Sequence, residues 1–288
     1  MSAPALEETI AFGQGFAAPL GRRAEAGAEG LQVSDEDRAS RLDRMRSGEL
    51  GSVHSWELVT AVDGPGTRLT VFLSGCPLRC LYCHNPDTWQ MRAGQPVEAS
   101  EVLRMVRRYR RIFQATGGGL TLSGGEALMQ PTFVARLLRG AAELGVHTCL
   151  DTSGNLGAAC TDRMLEDLDL VLLDIKAGDE DTYRRVTGRS LAPTLAFGRR
   201  LAAAGVSIWV RFVLVPGLTD EPDNIHRVAD HAAAMGSVER VEVLPFHQMG
   251  RDKWSKLGLP YALADTAVPT DDQCRRARAI FRSHGLAA

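Results

Sequence analysis

The sequence predicts an α/β fold, an open partial (β/α)6 barrel. Strand-like runs alternate with helical patterns, and six such runs lie between residues 69 and 245. This alternation is typical of parallel strands joined by right-handed crossovers, with functional groups at the carboxyl ends of the strands. A closed barrel of this kind has eight units and about 250 residues, so six units predict an open one. A doubly wound sheet would give a similar pattern.

The predicted strands are rich in β-branched and aliphatic residues, and helical periods separate them. Ser100 can cap one helix, whose apolar face includes Val106 and Phe113. Pro131 suits the first turn of another helix, which ends before Gly145. The predicted strands are Leu69–Ser74, Leu120–Ser123, His147–Thr152, Leu170–Lys176, Ser207–Val215 and Val238–Pro245.

The first 50 residues differ from the rest of the chain. They hold many Ala, Gly and charged residues and show no sustained helix or strand period. We therefore predict two parts, a mobile N-terminal extension over residues 1–50 and a partial-barrel domain over residues 51–288.

Composition excludes several classes of protein. The 288 residues include 33 Lys and Arg against 35 Asp and Glu, a net charge of −2. Nucleic-acid binders use an excess of positive charge to displace counterions, so we expect no nucleic-acid partner. The apolar runs are short and the N-terminus carries Glu7 and Glu8, so we expect neither a membrane span nor a secretory signal, and a cytoplasmic location. Six cysteines are too few for a disulfide scaffold in a chain of this size.

Three of the cysteines follow the first predicted strand as a C-x3-C-x2-C motif of Cys76, Cys80 and Cys83. Thiolates are soft ligands that suit zinc or iron–sulfur centres. A structural zinc site needs four protein ligands, and His84 would have to reach the same ion as its neighbour Cys83. Three cysteines on a four-iron cluster instead leave one iron open to a small molecule. The motif therefore favours one [4Fe–4S] cluster, with a structural zinc or iron–sulfur binding module as the alternative.

A glycine-rich motif, Gly124-Gly125-Glu126, follows the second predicted strand. The glycines would let a ligand approach the backbone closely, and Glu126 could accept hydrogen bonds from a bound ammonium group. A flexible turn is the simpler interpretation, but the position at a strand's carboxyl end favours a binding role.

Charged residues also end the next strands. Asp151-Thr152 ends the third strand and Asp174-Ile175-Lys176 ends the fourth, while His247 follows the sixth. Lys176 could neutralise a carboxylate and Asp174 could hold a hydroxyl or a cation.

With its three-cysteine motif at the end of the first strand of a partial barrel, the chain resembles the radical S-adenosylmethionine superfamily. The resemblance implies that the open iron chelates the amino and carboxylate groups of S-adenosylmethionine. One electron then cleaves this cofactor to methionine and a 5′-deoxyadenosyl radical. It also implies a cation, which we expect to be monovalent, near Asp151 and Asp174. The implied cofactor contacts are Tyr82 near the adenine, Cys83, His84, Gly124, Gly125, Glu126 for the amino group, Asp151, Thr152, Asp174, Ile175, Lys176 and His247.

Further motifs narrow the resemblance to the glycyl-radical enzyme activases that act on pyruvate formate-lyase. The likeness covers residues 51–288 and departs at Ser153, where close relatives more often have Asn. Activases with other substrates often insert a cysteine-containing segment, whereas residues 84–123 hold no cysteine after the motif. The motifs are Val62-Asp63-Gly64-Pro65-Gly66-Thr67-Arg68, Tyr82-Cys83-His84-Asn85, Ser123-Gly124-Gly125-Glu126, Asp151-Thr152, Leu173-Asp174-Ile175-Lys176, Val215-Pro216-Gly217 and Leu244-Pro245-Phe246-His247.

This resemblance implies an oxidoreductase of anaerobic metabolism that activates formate C-acetyltransferase, also called pyruvate formate-lyase. It would abstract a hydrogen from a backbone glycine of that protein substrate. Flavodoxin or ferredoxin would supply the electron. The alternative within the superfamily is chemistry on a small molecule, similar to that of 7-carboxy-7-deazaguanine synthase.

One helical segment is rich in arginine. Five arginines fall within eight residues, and such a charged run is usually only a solvated helix face. We hypothesise that an acidic electron carrier docks on it. The five are Arg104, Arg107, Arg108, Arg110 and Arg111.

Overall fold

The computed structural model describes residues 31–32, 38–60 and 62–288. The strands are β1 (Leu50–Thr60), β2 (Thr67–Leu73), β3 (Gln95–Glu98), β4 (Gly119–Gly124), β5 (His147–Thr152), β6 (Leu170–Asp174), β7 (Ser207–Leu214) and β8 (Val238–Pro245). The helices are α1 (Arg38–Ser47), α2 (Ala99–Thr116), α3 (Pro131–Glu143), α4 (Asp162–Glu166), α5 (Glu180–Thr187), α6 (Ala192–Ala203), α7 (Pro222–Met235), α8 (Arg251–Lys256) and α9 (Asp271–Ser283).

The strands form one sheet in the order β3-β1-β2-β4-β5-β6-β7-β8, which does not close on itself. Six strands are parallel, namely β2, β4, β5, β6, β7 and β8, which confirms the predicted open α/β fold. The bounds of β5 and β8 are as predicted, and those of the other four differ by one or two residues at one or both ends. Because these strands run in one direction, their carboxyl ends meet at one edge of the sheet, called here the carboxyl edge.

Two antiparallel strands were missed by the sequence prediction. β1 pairs with β2 and β3 pairs with β1, so the sheet has eight strands, two more than predicted. An antiparallel strand can leave one face in solvent, so it needs no continuous apolar run. In β1 the buried Trp56 and Leu58 alternate with the partly exposed Glu57, and β3 is only four residues long and contains Pro96.

Part of the predicted N-terminal extension is folded. Residues 38–47 form α1, a helix that the sequence prediction did not include. The Arg44 guanidinium lies 3.1 Å from the Glu98 carboxylate, and the Thr132 hydroxyl donates to the Met45 carbonyl over 3.3 Å. These contacts join α1 to the barrel. Residues 1–30 and 33–37 lie outside the described residues, and the mobility of that stretch stays a prediction.

Two truncations test this boundary. A chain that starts at Leu31 is expected to unfold at the same temperature as the full chain. A chain that starts at Gly51 loses Leu50, which is 1% exposed, together with α1. Burying a leucine contributes about 1.5–3 kcal/mol, so its melting temperature should fall by about 5 °C in a thermal scan. Equal melting temperatures of the two truncated chains would show that the folded domain begins after residue 50, as predicted.

The helices and the strands share the main hydrophobic core, while the other face of the strands carries polar side chains together with a small apolar cluster of Cys149, Leu170 and Leu172. Leu122 and Leu150 lie in the main core. Neighbouring residues on the same strands, Ser123 and Asp151, contact each other through a hydrogen bond. This alternation follows from the two-residue period of a strand. Over the described part of the chain, no helix has the length and apolar character needed to cross a bilayer.

Candidate functional site

The three-cysteine loop leaves β2 at the carboxyl edge. Cys80 is buried, and Cys76 and Cys83 are half-buried. The loop is held against the end of α5, because the Arg79 and Leu81 amides donate to the Thr187 and Val186 carbonyls over 2.8 and 3.0 Å. All three cysteines have free thiols, as ligation of a metal requires.

Burial sets the protonation of these thiols. Burial raises the pKa of the Cys76 thiol to about 12, although the hydrogen bond from the Leu78 amide opposes it. Burial also raises the pKa of Cys80 and of Cys83. The thiols are therefore neutral without a metal, and the positive charge of bound iron is what would make them thiolates.

The donor set fits an iron–sulfur cluster. In the described residues, no three His, Cys, Asp or Glu side chains are placed to hold one metal ion together. Zinc would need such convergence, because each sulfur lies about 2.3 Å from the same ion. In a four-iron cluster each cysteine binds a different iron, so the sulfurs stand further apart. Three free thiols on one loop suit that cluster better than a zinc ion.

The glycine motif brings β4 against the cysteine loop. The Gly125 amide donates to the Leu73 carbonyl over 2.9 Å, and the Glu126 amide to that of Gly75 over 2.8 Å. A Cβ on Gly125 would lie 2.5 Å from the Gly75 carbonyl oxygen and 3.0 Å from the Cys76 Cβ. The predicted reason for these glycines was the approach of a ligand. The structure gives them a packing reason, the close contact of two loops.

Glu126 lies at the centre of a hydrogen-bond network. Its Oε1 accepts from the Thr152 hydroxyl over 2.6 Å and from the Leu128 amide over 3.2 Å. Its Oε2 accepts from the Ser153 hydroxyl over 2.6 Å and from the Ser153 amide over 3.0 Å. Four donors fix the carboxylate, which is 1% exposed. Ser153, where the sequence departs from the family, thus has a defined contact in the site.

Asp151 belongs to a charge network that the sequence did not predict. Its carboxylate accepts from the Ser123 hydroxyl over 2.7 Å and lies 3.4 Å from the guanidinium of Arg211. The same guanidinium lies 3.3 Å from Asp63 and 3.2 Å from Glu242. Burial raises the pKa of Asp151 to about 7, with Arg211 acting against it and nearby carboxylates adding to it.

The residues at the carboxyl end of β6 divide between the site and the core. The Lys176 ammonium lies 2.9 Å from the Asp174 carboxylate and 5.7 Å from the ring centroid of Tyr82. The Ile175 side chain is fully buried in the main core, so only its backbone can serve the site. The buried Tyr82 hydroxyl has no hydrogen-bond partner among the described residues, as expected where a polar ligand would bind.

His247 completes the edge by stacking on His84, with ring centroids 4.0 Å apart. The Met249 amide donates to Nδ1 of His247 over 3.4 Å, which places the ring proton on Nε2. Burial lowers the pKa of both rings, to about 4 for His84 with help from His247. Both rings are therefore neutral at pH 7.

Helix α8, which follows His247 in the chain, also holds the cysteine loop. The Trp254 indole donates to the Cys83 carbonyl over 2.8 Å, and the Lys253 ammonium lies 2.8 Å from the Asn85 side-chain oxygen and 3.0 Å from Asp87. Sequence reasoning missed α8 and Arg211, because neither lies in a recognisable motif.

An open parallel barrel with a three-cysteine loop at its carboxyl edge is the architecture of radical S-adenosylmethionine enzymes. The model of the Radical SAM superfamily matches residues 70–229. The chain is 40% identical over 238 residues to the pyruvate formate-lyase 1-activating enzyme of Escherichia coli K12, covering 82% of this chain and 97% of that one. It is 44% identical over 216 residues to the pyruvate formate-lyase-activating enzyme of Clostridium pasteurianum, covering 75% and 90%. The chain belongs to the radical SAM superfamily and, within it, to the pyruvate formate-lyase activating enzymes.

The fold itself has more distant relatives. The crystal structure of a radical SAM methyltransferase from Sphaerobacter thermophilus superposes with a TM-score of 0.57 at 17% identity, covering 88% of this chain and 81% of that chain. At this identity the likeness concerns the fold alone.

Proposed function

We propose that this protein is an activase that cleaves S-adenosylmethionine reductively and abstracts a hydrogen from a backbone glycine of pyruvate formate-lyase. One observation carries the proposal: the three-cysteine loop and the Glu126 network adjoin at the carboxyl edge, in a chain that matches the activating enzymes over nearly their whole length. A small-molecule substrate has no comparable support.

In this proposal the residues at the carboxyl edge have separate roles in holding the cluster and the cofactor. Cys76, Cys80 and Cys83 hold three irons of one [4Fe–4S] cluster and leave the fourth for the cofactor. When bound, the cluster supplies the electron that cleaves S-adenosylmethionine. Glu126, fixed by its four donors, receives the amino group of the cofactor. Lys176 offers its charge to a carboxylate.

The remaining predicted contacts surround the cofactor. The unpartnered hydroxyl and ring of Tyr82 suit the adenine end. His84 and His247 form one neutral stacked surface at the edge. Thr152 acts through Glu126, to which it donates a hydrogen bond.

A monovalent cation is part of the proposal. Three carboxylates, Asp63, Asp151 and Glu242, contact the buried Arg211, and only Glu242 has a second cation, the exposed Arg240. Asp174 adds a further carboxylate nearby, which also raises the pKa of Asp151. This excess of negative charge favours a bound cation between Asp151 and Asp174.

The proposed partners follow from the reaction. Pyruvate formate-lyase is the protein substrate, and flavodoxin or ferredoxin supplies the electron. We place the reaction in the cytoplasm, because free thiols persist in reducing compartments.

Electron paramagnetic resonance tests the function. Anaerobically reconstituted protein, S-adenosylmethionine and dithionite are mixed with pyruvate formate-lyase. We expect a glycyl-radical signal and formation of 5′-deoxyadenosine. A lyase whose radical glycine is replaced by alanine serves as the control. Deoxyadenosine without a protein radical on the intact lyase would point to another substrate.

Glu126→Gln and Lys176→Ala test the proposed binding of S-adenosylmethionine. Each change removes a charged hydrogen bond worth about 1.5–3 kcal/mol, so S-adenosylmethionine affinity should fall roughly ten- to a hundredfold. Titration calorimetry of reconstituted protein measures it, and iron content should stay unchanged. Glu143→Gln, at an exposed position at the end of α3, is the matched control. Wild-type affinity in both variants would remove these residues from the site.

A further inference from the structure

Three arginines lie around the outer side of the cysteine loop. Arg79 stands within the loop, and Arg185 and Arg189 lie on and just after α5, whose end is bonded to the loop. All three are exposed. We call the surface formed by Arg79, Arg185 and Arg189 the loop face.

These arginines are fixed by backbone carbonyls. The Arg79 guanidinium donates to the carbonyls of Cys76 and Leu78 over 2.8 and 2.7 Å and stacks on the Trp89 ring at 4.7 Å. Arg189 donates to the Pro77 carbonyl over 2.9 Å, and Arg185 to the Leu218 carbonyl over 3.3 Å.

Their positive charge is therefore not neutralised. Among the described residues, no carboxylate forms a salt bridge with any arginine of the loop face. By contrast, the neighbouring Arg184 is paired with Glu180 at 2.9 Å. Fixed, unpaired guanidinium groups attract anionic surfaces and speed their association.

The arginines of α2 are placed differently. The helix starts beside β3 at the carboxyl edge and ends where β4 begins, at the opposite edge of the sheet. With a rise of about 1.5 Å per residue, Arg107 and Arg111 lie about 12 and 18 Å along the axis from Ala99. Arg104 is already paired with Glu101. An electron carrier docked on the second half of α2 would lie toward the opposite edge of the sheet, away from the cysteine loop.

We infer that the loop face is the docking surface for an acidic one-electron carrier protein, which reduces the iron–sulfur centre across the loop between Cys76 and Cys80. The inference rests on the proposed function, because that reaction consumes one electron per turnover. It assigns this step to the arginines beside the loop and not to those of α2.

Stopped-flow reduction of the reconstituted holoenzyme tests this inference, with reduced flavodoxin as the acidic probe. The Arg185→Glu/Arg189→Glu double variant should be reduced at least about tenfold more slowly at low salt, and the difference should vanish at high salt. The single variant Arg185→Glu, which keeps the bond from Arg189 to the loop, should show a smaller loss. Arg107→Glu/Arg111→Glu on α2 carries the same charge change and should match the wild type.

Dithionite separates docking from chemistry. With this small reductant the loop-face variants should keep wild-type iron content and wild-type formation of 5′-deoxyadenosine. Equal flavodoxin rates in wild type and loop-face variants at low salt, or a loss found only in the α2 variant, would overturn the inference. A wild-type holoenzyme that forms no 5′-deoxyadenosine with dithionite would instead overturn the proposed function.

Discussion

Replacing Cys80 by alanine is expected to abolish reductive cleavage of S-adenosylmethionine. Two thiolates hold a four-iron cluster poorly, and Cys80 is the most buried of the three, so water cannot easily take its place as a ligand. We expect iron content to collapse and 5′-deoxyadenosine to fall to background. Iron analysis and chromatography of the reaction products measure the two effects. Cys76→Ala and Cys83→Ala should behave in the same way.

Cys160→Ala is the matched control for the cysteine variants. Cys160 is also buried, but its side chain belongs to the main hydrophobic core. We expect it to keep iron and activity and to lose only stability. A Cys80 variant that retains a full cluster and cleaves the cofactor would refute the assignment of the ligands.

Arg211→Met should produce the largest loss of stability. The side chain is buried, and its removal leaves Asp63, Asp151 and Glu242 without their shared cation. Breaking a buried ion pair on one side typically costs about 3–5 kcal/mol. We expect the free energy of unfolding, measured in urea, to fall by about this amount.

The loss should depend on pH. The pKa of Asp151 is raised to about 7 in the folded state, so the folded protein holds this proton more tightly than the unfolded chain does. The free energy of unfolding therefore falls as pH rises from about 4 to about 7. Without the guanidinium this pKa rises further, and the decline extends above pH 7. The deficit of Arg211→Met against the wild type should therefore be larger at pH 8 than at pH 6.

Arg240→Met provides the control. Arg240 lies on the adjacent strand β8 and contacts only one member of the network, Glu242, at 3.6 Å, while 51% of its side chain is exposed. Exposed ion pairs contribute about 0–1 kcal/mol, so this variant should be nearly as stable as the wild type. Equal losses in the two variants would show that the network does not depend on Arg211.

Local patterns predicted the parallel part of the fold. The apolar run of β6 is short, bounded and continuous, because this parallel strand is covered on both faces. The helix from Pro131 likewise begins at the predicted residue. These features depend on neighbours along the chain, which a sequence displays directly. β1 and α1 lack such a pattern, because the first alternates irregularly and the second is held by contacts with distant residues.

The candidate site divides in the same way. The sequence by itself determined the cysteine spacing and the charged strand ends, since both are sets of nearby residues placed by the period of strand and helix. Only the tertiary structure decided that Arg211 joins Asp63, Asp151 and Glu242, that Ser153 fixes Glu126, and that Arg185 and Arg189 flank the cysteine loop. Each of these groups comes from separate segments of the chain. The order of strands in the sheet brings them together, and burial makes the pairing of Arg211 and of Glu126 with their partners obligatory.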